Sequence, residues 1–141
     1  MKENAPASTV WLSPVVTEGP FYIQFRDDHV HVEVKLDTLL TPQIQKEYWR
    51  VLRATCKRHD CCRVLVEGDA PKVERTTNQI IEAGMRTAAI PDLWLAYCLK
   101  NYERDDSSEL YQVIAASQTV RVKFFADRDQ ALAWLRSNSP K

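Results

Sequence analysis

The chain has 141 residues, of which 45% are hydrophobic and 27% charged, and its 19 Lys and Arg balance 19 Asp and Glu. Such a length makes one domain that buries roughly two-thirds of its unfolded surface, and the composition is that of an ordinary globular protein. Zero net charge supplies no global field toward nucleic acid or anionic membrane, three glycines argue against phosphate-cradling loops, and no run of about 18 apolar residues offers a membrane span.

Residues 1–20 hold three prolines and little periodicity, and read as an N-terminal extension in which Val10-Trp11-Leu12 offers an apolar patch to the fold. Met1 to Thr9 has one basic residue and no apolar core, so no secretory signal is expected and the cytoplasm is the expected compartment. The four cysteines are then expected as free thiols.

Phe21 to Phe25 predicts a strand, Arg26-Asp27-Asp28 a turn, and His29 to Leu36 a second strand. Alternation places Val30, Val32, Val34 and Leu36 on one face and His29, His31, Glu33 and Lys35 on the other, a hairpin with one buried and one wet face. Thr41 and Pro42 open a helix as N-cap and first helical residue, with Ile44, Tyr48, Val51, Leu52, Thr55 and Cys56 as its packed stripe. Cys61 to Glu67 predicts a strand ended by Gly68-Asp69-Ala70-Pro71. A helix from about Val73 follows, carrying Ile80 and Ile81, with Gly84 as a left-handed C-cap. Met85 to Ile90 reads as a further helical turn that Pro91 keeps apart from Trp94. Leu93 to Leu99 is apolar enough for a strand buried on both faces. Asp106 caps a third helix with Glu109 in the capping-box position and Leu110, Val113 and Ile114 inward. A strand at Val120 to Phe125 leads to a last helix capped by Asp127 with Gln130, burying Ala131, Trp134 and Leu135. Val64, Leu65, Val66, Leu95, Tyr97, Val122 and Phe124 are the expected central-strand core, with Trp134 covering them.

The order β-β-α-β-α-β-α-β-α predicts an α/β fold: one domain over 21–137 with a mixed sheet, an antiparallel hairpin edge and a parallel remainder, then a tail at 138–141. This order, with the ending Phe124-Phe125-Ala126-Asp127-Arg128-Asp129-Gln130-Ala131-Leu132-Ala133-Trp134-Leu135, resembles the SpoIIAA-like branch of the STAS superfamily, small bacterial proteins related to anti-sigma-factor antagonists. The resemblance implies a STAS-like domain and a non-catalytic regulatory role. Antagonists of that superfamily carry a phosphorylatable serine where the strand after the first helix meets the next helix. Here that junction, Glu67 to Thr77, holds no serine, and Thr76 and Thr77 are expected inside the helix, which argues against a kinase switch and the sigma-factor pathway.

Cys56, His59, Cys61 and Cys62 lie close together in sequence, yet no paired Cys-x-x-Cys knuckle exists and adjacent strand cysteines point to opposite faces. Buried structural thiols are therefore expected, with no metal site and no cofactor. His29 and His31 share a strand face close enough to chelate jointly, but on a polar face they are expected to be solvated. No nucleophile has a neighbouring base in sequence, so no catalytic residue is assigned.

A ligand in such a sheet binds at the carboxyl ends of the parallel strands. The candidates there are Asp69, Lys72, Arg75, Asn101, Tyr102 and Asp127, with helix caps and solvated loop as the plainer account of the same residues. A second candidate surface is the first helix, where Lys46, Arg50, Arg53 and Lys57 fall at i, i+4, i+7 and i+11. The expected function is a protein-interaction module; the alternative is a carrier of a small apolar or lipid-like ligand at the strand ends. An unknown protein partner or small ligand is implied, nucleic acid is not, and self-association stays open.

Overall fold

In a computed structural model the described residues are 21–34, 41–69, 75–100 and 102–138. The expectations for residues 1–20, Lys35, Leu36, Lys72, Val73 and Asn101 lie outside them. Strand β1 (Phe21–Arg26) turns into β2 (His29–Val34) through two residues, with Asp27 at φ 50° as a tight hairpin loop requires. Helix α1 (Pro42–Arg58) begins as predicted: the Ile44 amide donates to Thr41 Oγ1 at 3.3 Å, and Pro42 needs no partner. Strand β3 (Arg63–Asp69) is followed by helix α2 (Thr77–Arg86) and a 3-10 turn over Thr87–Ala89. Then come β4 (Trp94–Lys100), α3 (Asp106–Ser117), β5 (Arg121–Phe125) and α4 (Arg128–Asn138).

The five strands stand in the order β1-β2-β3-β4-β5, with β1 antiparallel to β2 and every later neighbour parallel. The expected hairpin edge and parallel remainder are both present. Each crossover moves one strand further in the same direction, and right-handed connections of that kind put their helices on one face. Accordingly Tyr48, Leu52 and Cys56 of α1, Ile80 of α2, and Tyr111 and Ala115 of α3 share a core with Val30, Val32, Val64, Val66, Leu95 and Tyr97. Helix α4 takes the other face, where Ala131 and Leu135 pack with Leu65 and Ala96. Strand β4 is thus buried from both sides, as its continuous apolar run predicts.

Trp134 does not cover the central-strand set. It is half-buried on the α4 face, tilted against Trp94 and Phe125 at 5.2 and 5.8 Å, whereas Val64, Val66, Leu95 and Tyr97 face α1–α3. Gly84 is not a C-cap. It lies buried inside α2, where an added Cβ would sit 2.6 Å from Cβ and Cγ2 of Ile114, so its missing side chain lets α2 close onto α3. Helix α2 starts at Thr77, and Thr76, instead of lying within it, is its exposed N-cap: Oγ1 accepts from the Gln79 amide at 3.1 Å in a reciprocal capping box. The α3 cap is one residue earlier than predicted, Asp105 paired with Ser108, and of the residues expected inward Leu110 and Ile114 are half-buried. Ser108, Tyr111 and Ala115 are buried and Val113 is exposed. Cys61 and Cys62 precede β3 rather than alternating along it, and Cys61 Sγ donates to the Asp28 and Arg63 carbonyls.

Candidate functional site

Strand register builds a charged row at the carboxyl ends of the strands on the α4 face. Glu33 of β2 is the register partner of Glu67 of β3, which in turn is the partner of Cys98 of β4. Two carboxylates directly opposite each other repel. Arg128, the first residue of α4, reaches back so that its Nε donates to Glu67 Oε2 at 2.7 Å. The start of α4 is itself fixed by Asp127, whose Oδ1 accepts from the Asp129 amide at 2.9 Å.

His31, two residues before Glu33 on the same strand face, completes the group. Its Nε2 lies 3.1 Å from Glu33 Oε2 and 3.3 Å from Glu67 Oε1. The wet face expected for both histidines is corrected here: His31 is only 1% exposed and His29 8%. Strand β2 is an interior strand flanked by β1 and β3, not an edge, and the Glu33 and Glu67 carboxyls lie against the His31 ring. Burial pushes the His31 pKa down, while the bond from Glu33 opposes it, so the ring is held toward its neutral form. His29 instead sits with Nδ1 2.9 Å from Asp28 Oδ1, and Arg136 in the last turn of α4 donates to Asp28 Oδ2 at 2.8 Å. Those bonds, Arg136 first, bring the Asp28 pKa down to about 2. Helix α4 is therefore pinned at both ends, by Arg128 to β3 and by Arg136 to the β1–β2 turn.

The residues predicted from sequence fall on both sides of the sheet. Asp69 ends β3 and is exposed. Arg75 is half-buried just before α2 and acts electrostatically on Tyr97 and Tyr111, whose hydroxyls bond at 2.7 Å. Tyr102 stacks on Phe124 at 5.3 Å and its hydroxyl pairs with Ser108 Oγ at 3.0 Å, so it is tied into the α1–α3 side. Asp127 belongs to the opposite side beside Arg128. The cluster of His31, Glu33, Glu67 and Arg128 was not assigned from sequence. Its one legible sign is the His31-x-Glu33 spacing on a single strand face; the approach of Glu67 depends on register and that of Arg128 on helix docking.

The cation row of α1 is exposed along its length at Lys46, Arg50, Arg53 and Lys57. Arg50 forms a two-pronged pair with Glu47, donating from Nε at 3.0 Å and from Nη2 at 2.6 Å. The other three have no carboxylate partner among the described residues. The thiols are placed for packing: burial pushes Cys56, Cys61 and Cys98 upward, with the Glu67 charge adding to the effect at Cys98.

No family model, curated protein or solved structure matches this chain. Among the described residues no helix is long and apolar enough to cross a membrane.

Proposed function

We propose that this chain is a non-catalytic interaction module of the SpoIIAA-like, STAS-related kind, regulating an acidic protein partner that docks on the outer face of α1. The cation row carries this reading. Like charges at helical spacing cost a few tenths of a kcal/mol per pair, and only Glu47 relieves them locally. A chain of zero net charge that concentrates Lys46, Arg50, Arg53 and Lys57 on one exposed face has a surface suited to steering and holding acidic groups. The inward face of the same helix is fully committed to the core through Tyr48, Trp49, Leu52 and Cys56, so the cations are displayed from a rigid element. Burial raises the Cys56, Cys61 and Cys98 thiols, and His29 and His31 pair with carboxylates and not with a nucleophile.

The reading is tested by reversing Arg50 and Arg53 to glutamate and measuring capture of an acidic partner by the immobilised chain. Capture falls, more at low salt than at high, with the far-ultraviolet dichroism unchanged. Equal capture by both proteins would reduce the row to a solvated helix face. The second reading, a carrier of a small apolar or lipid-like ligand, draws on one observation: the buried Tyr48 hydroxyl has no hydrogen-bond partner among the described residues. Against it, α2 closes onto α3 at Gly84, and Tyr97, Tyr111 and Phe124 fill the space beneath.

A further inference from the structure

We propose that His31, Glu33 and Glu67 form a binding site for one divalent transition-metal ion, with zinc as the best fit. Their ligand atoms lie within 4.8 Å of one another. Zinc bonds of about 2.0–2.1 Å at tetrahedral angles separate neighbouring ligand atoms by about 3.3 Å. The observed separations from His31 Nε2 are 3.1 Å to Glu33 Oε2 and 3.3 Å to Glu67 Oε1, so two edges of the tetrahedron are already set.

Three further observations point to a cation. Glu33 and Glu67 are register partners on adjacent strands, a like-charge pairing that a sheet does not hold without compensation. Arg128 pairs directly with Glu67 Oε2, while its charge also acts on Glu33 and that of Arg26 on His31, so Glu33 has no Lys or Arg ion pair of its own among the described residues. Glu67 Oε1 is a buried acceptor that makes no hydrogen bond among the described residues, although it faces a ring nitrogen. A metal at the centroid of the three ligand atoms would satisfy that lone pair and both carboxylates together. The imidazole and carboxylate donors suit zinc, whereas calcium and magnesium prefer oxygen-only shells.

The open side of the site is set by exposure. The His31 side chain is 1% exposed and that of Glu67 16%, whereas that of Glu33 is 57% exposed. The ion would therefore sit under Glu33 with its fourth position toward solvent, where a water can bind. His31 Nδ1 has no acceptor among the described residues, so the usual outer support of a histidine ligand is absent and moderate affinity is expected. This inference is independent of the α1 surface: either can fail without the other.

The test uses the full chain, stripped with a chelator and titrated with zinc by calorimetry and with cobalt(II) by visible absorption. One ion per chain is expected, with tetrahedral cobalt absorption and no thiolate charge-transfer band. Because Glu33 is exposed, Glu33→Gln should keep its unfolding midpoint while weakening binding by at least about tenfold, a loss seen even when outer-shell partners are removed. Glu67→Gln should weaken binding similarly. Failure to take up either ion, uptake unaffected by Glu33→Gln, or a cobalt spectrum dominated by thiolate charge transfer would overturn the proposal.

Discussion

Replacing Gly84 by alanine sets two known effects against each other, and their balance follows from the position of one residue. In an open helix interior the change stabilises by about 1 kcal/mol, because alanine loses less backbone entropy. At Gly84 the new Cβ would lie 2.6 Å from both Cβ and Cγ2 of Ile114, and 3.4 Å from the Tyr111 carbonyl. Neither Ile114 atom is the far end of a flexible chain, so α2 and α3 must separate. Overpacking of that kind costs about 1–3 kcal/mol. The net expectation is a loss of about 0–2 kcal/mol, and Gly84→Asn should be worse because its side chain is larger. Asparagine would be tolerated if Gly84 were a left-handed helix terminus, so the pair of variants separates the two roles. Urea unfolding at neutral pH reads both. A gain of about 1 kcal/mol for Gly84→Ala would refute the close contact of α2 with α3.

Trp134→Ala should cost about 2 kcal/mol in the same assay, less than the 3–5 typical of a fully buried tryptophan, since Trp134 is half-buried against Trp94 and Phe125; Leu135→Ala, at a fully buried site, should cost at least as much. Asp28 carries a folded pKa of about 2 against an ordinary 3.8, so its pairing with Arg136 stabilises the fold above about pH 4 and is lost as pH falls through about 2. Both partners are substantially exposed, so Arg136→Ala should cost under about 1 kcal/mol at pH 7, and the difference from the parent should shrink toward pH 2 in acid unfolding curves. A difference that is constant with pH would place the effect in packing. Cys56, buried and with its thiol pKa pushed well up, should be the slowest thiol to react with a disulfide reagent in the native protein; fast labelling at Cys56 would contradict its place in the core.

The element order and the hairpin edge were legible because they rest on local periodicity. The strict alternation of Val30, Val32 and Val34, the Thr41-Pro42 helix start and the apolar run through Leu95 and Tyr97 each report their own surroundings. Errors arose where a residue's role depends on a distant element. Gly84 has the position of a cap in sequence, but it is read by Ile114 on the next helix. Val113 follows Leu110 at the spacing of an inward stripe, but the side that docks on the sheet is that of Ser108, Tyr111 and Ala115, a choice made by the partner surface and not by local periodicity. His31 alternates with valines as an exposed residue would, yet β2 lies inside the sheet and the Glu33 and Glu67 side chains lie against the ring. The candidate cluster was unreadable for the same reason, since the register of β2 against β3 and the docking of Arg128 bring its members together. The cation row on α1 was readable because one helix supplies all of it.

The interaction reading is tested most directly by native mass spectrometry of the chain taken straight from cells, with the Arg50→Glu, Arg53→Glu variant run in parallel. The account predicts a complex with an acidic protein that dissociates as salt is raised and is depleted in the variant. A chain carrying a small organic molecule and no protein partner, equally in parent and variant, would contradict it in favour of the carrier.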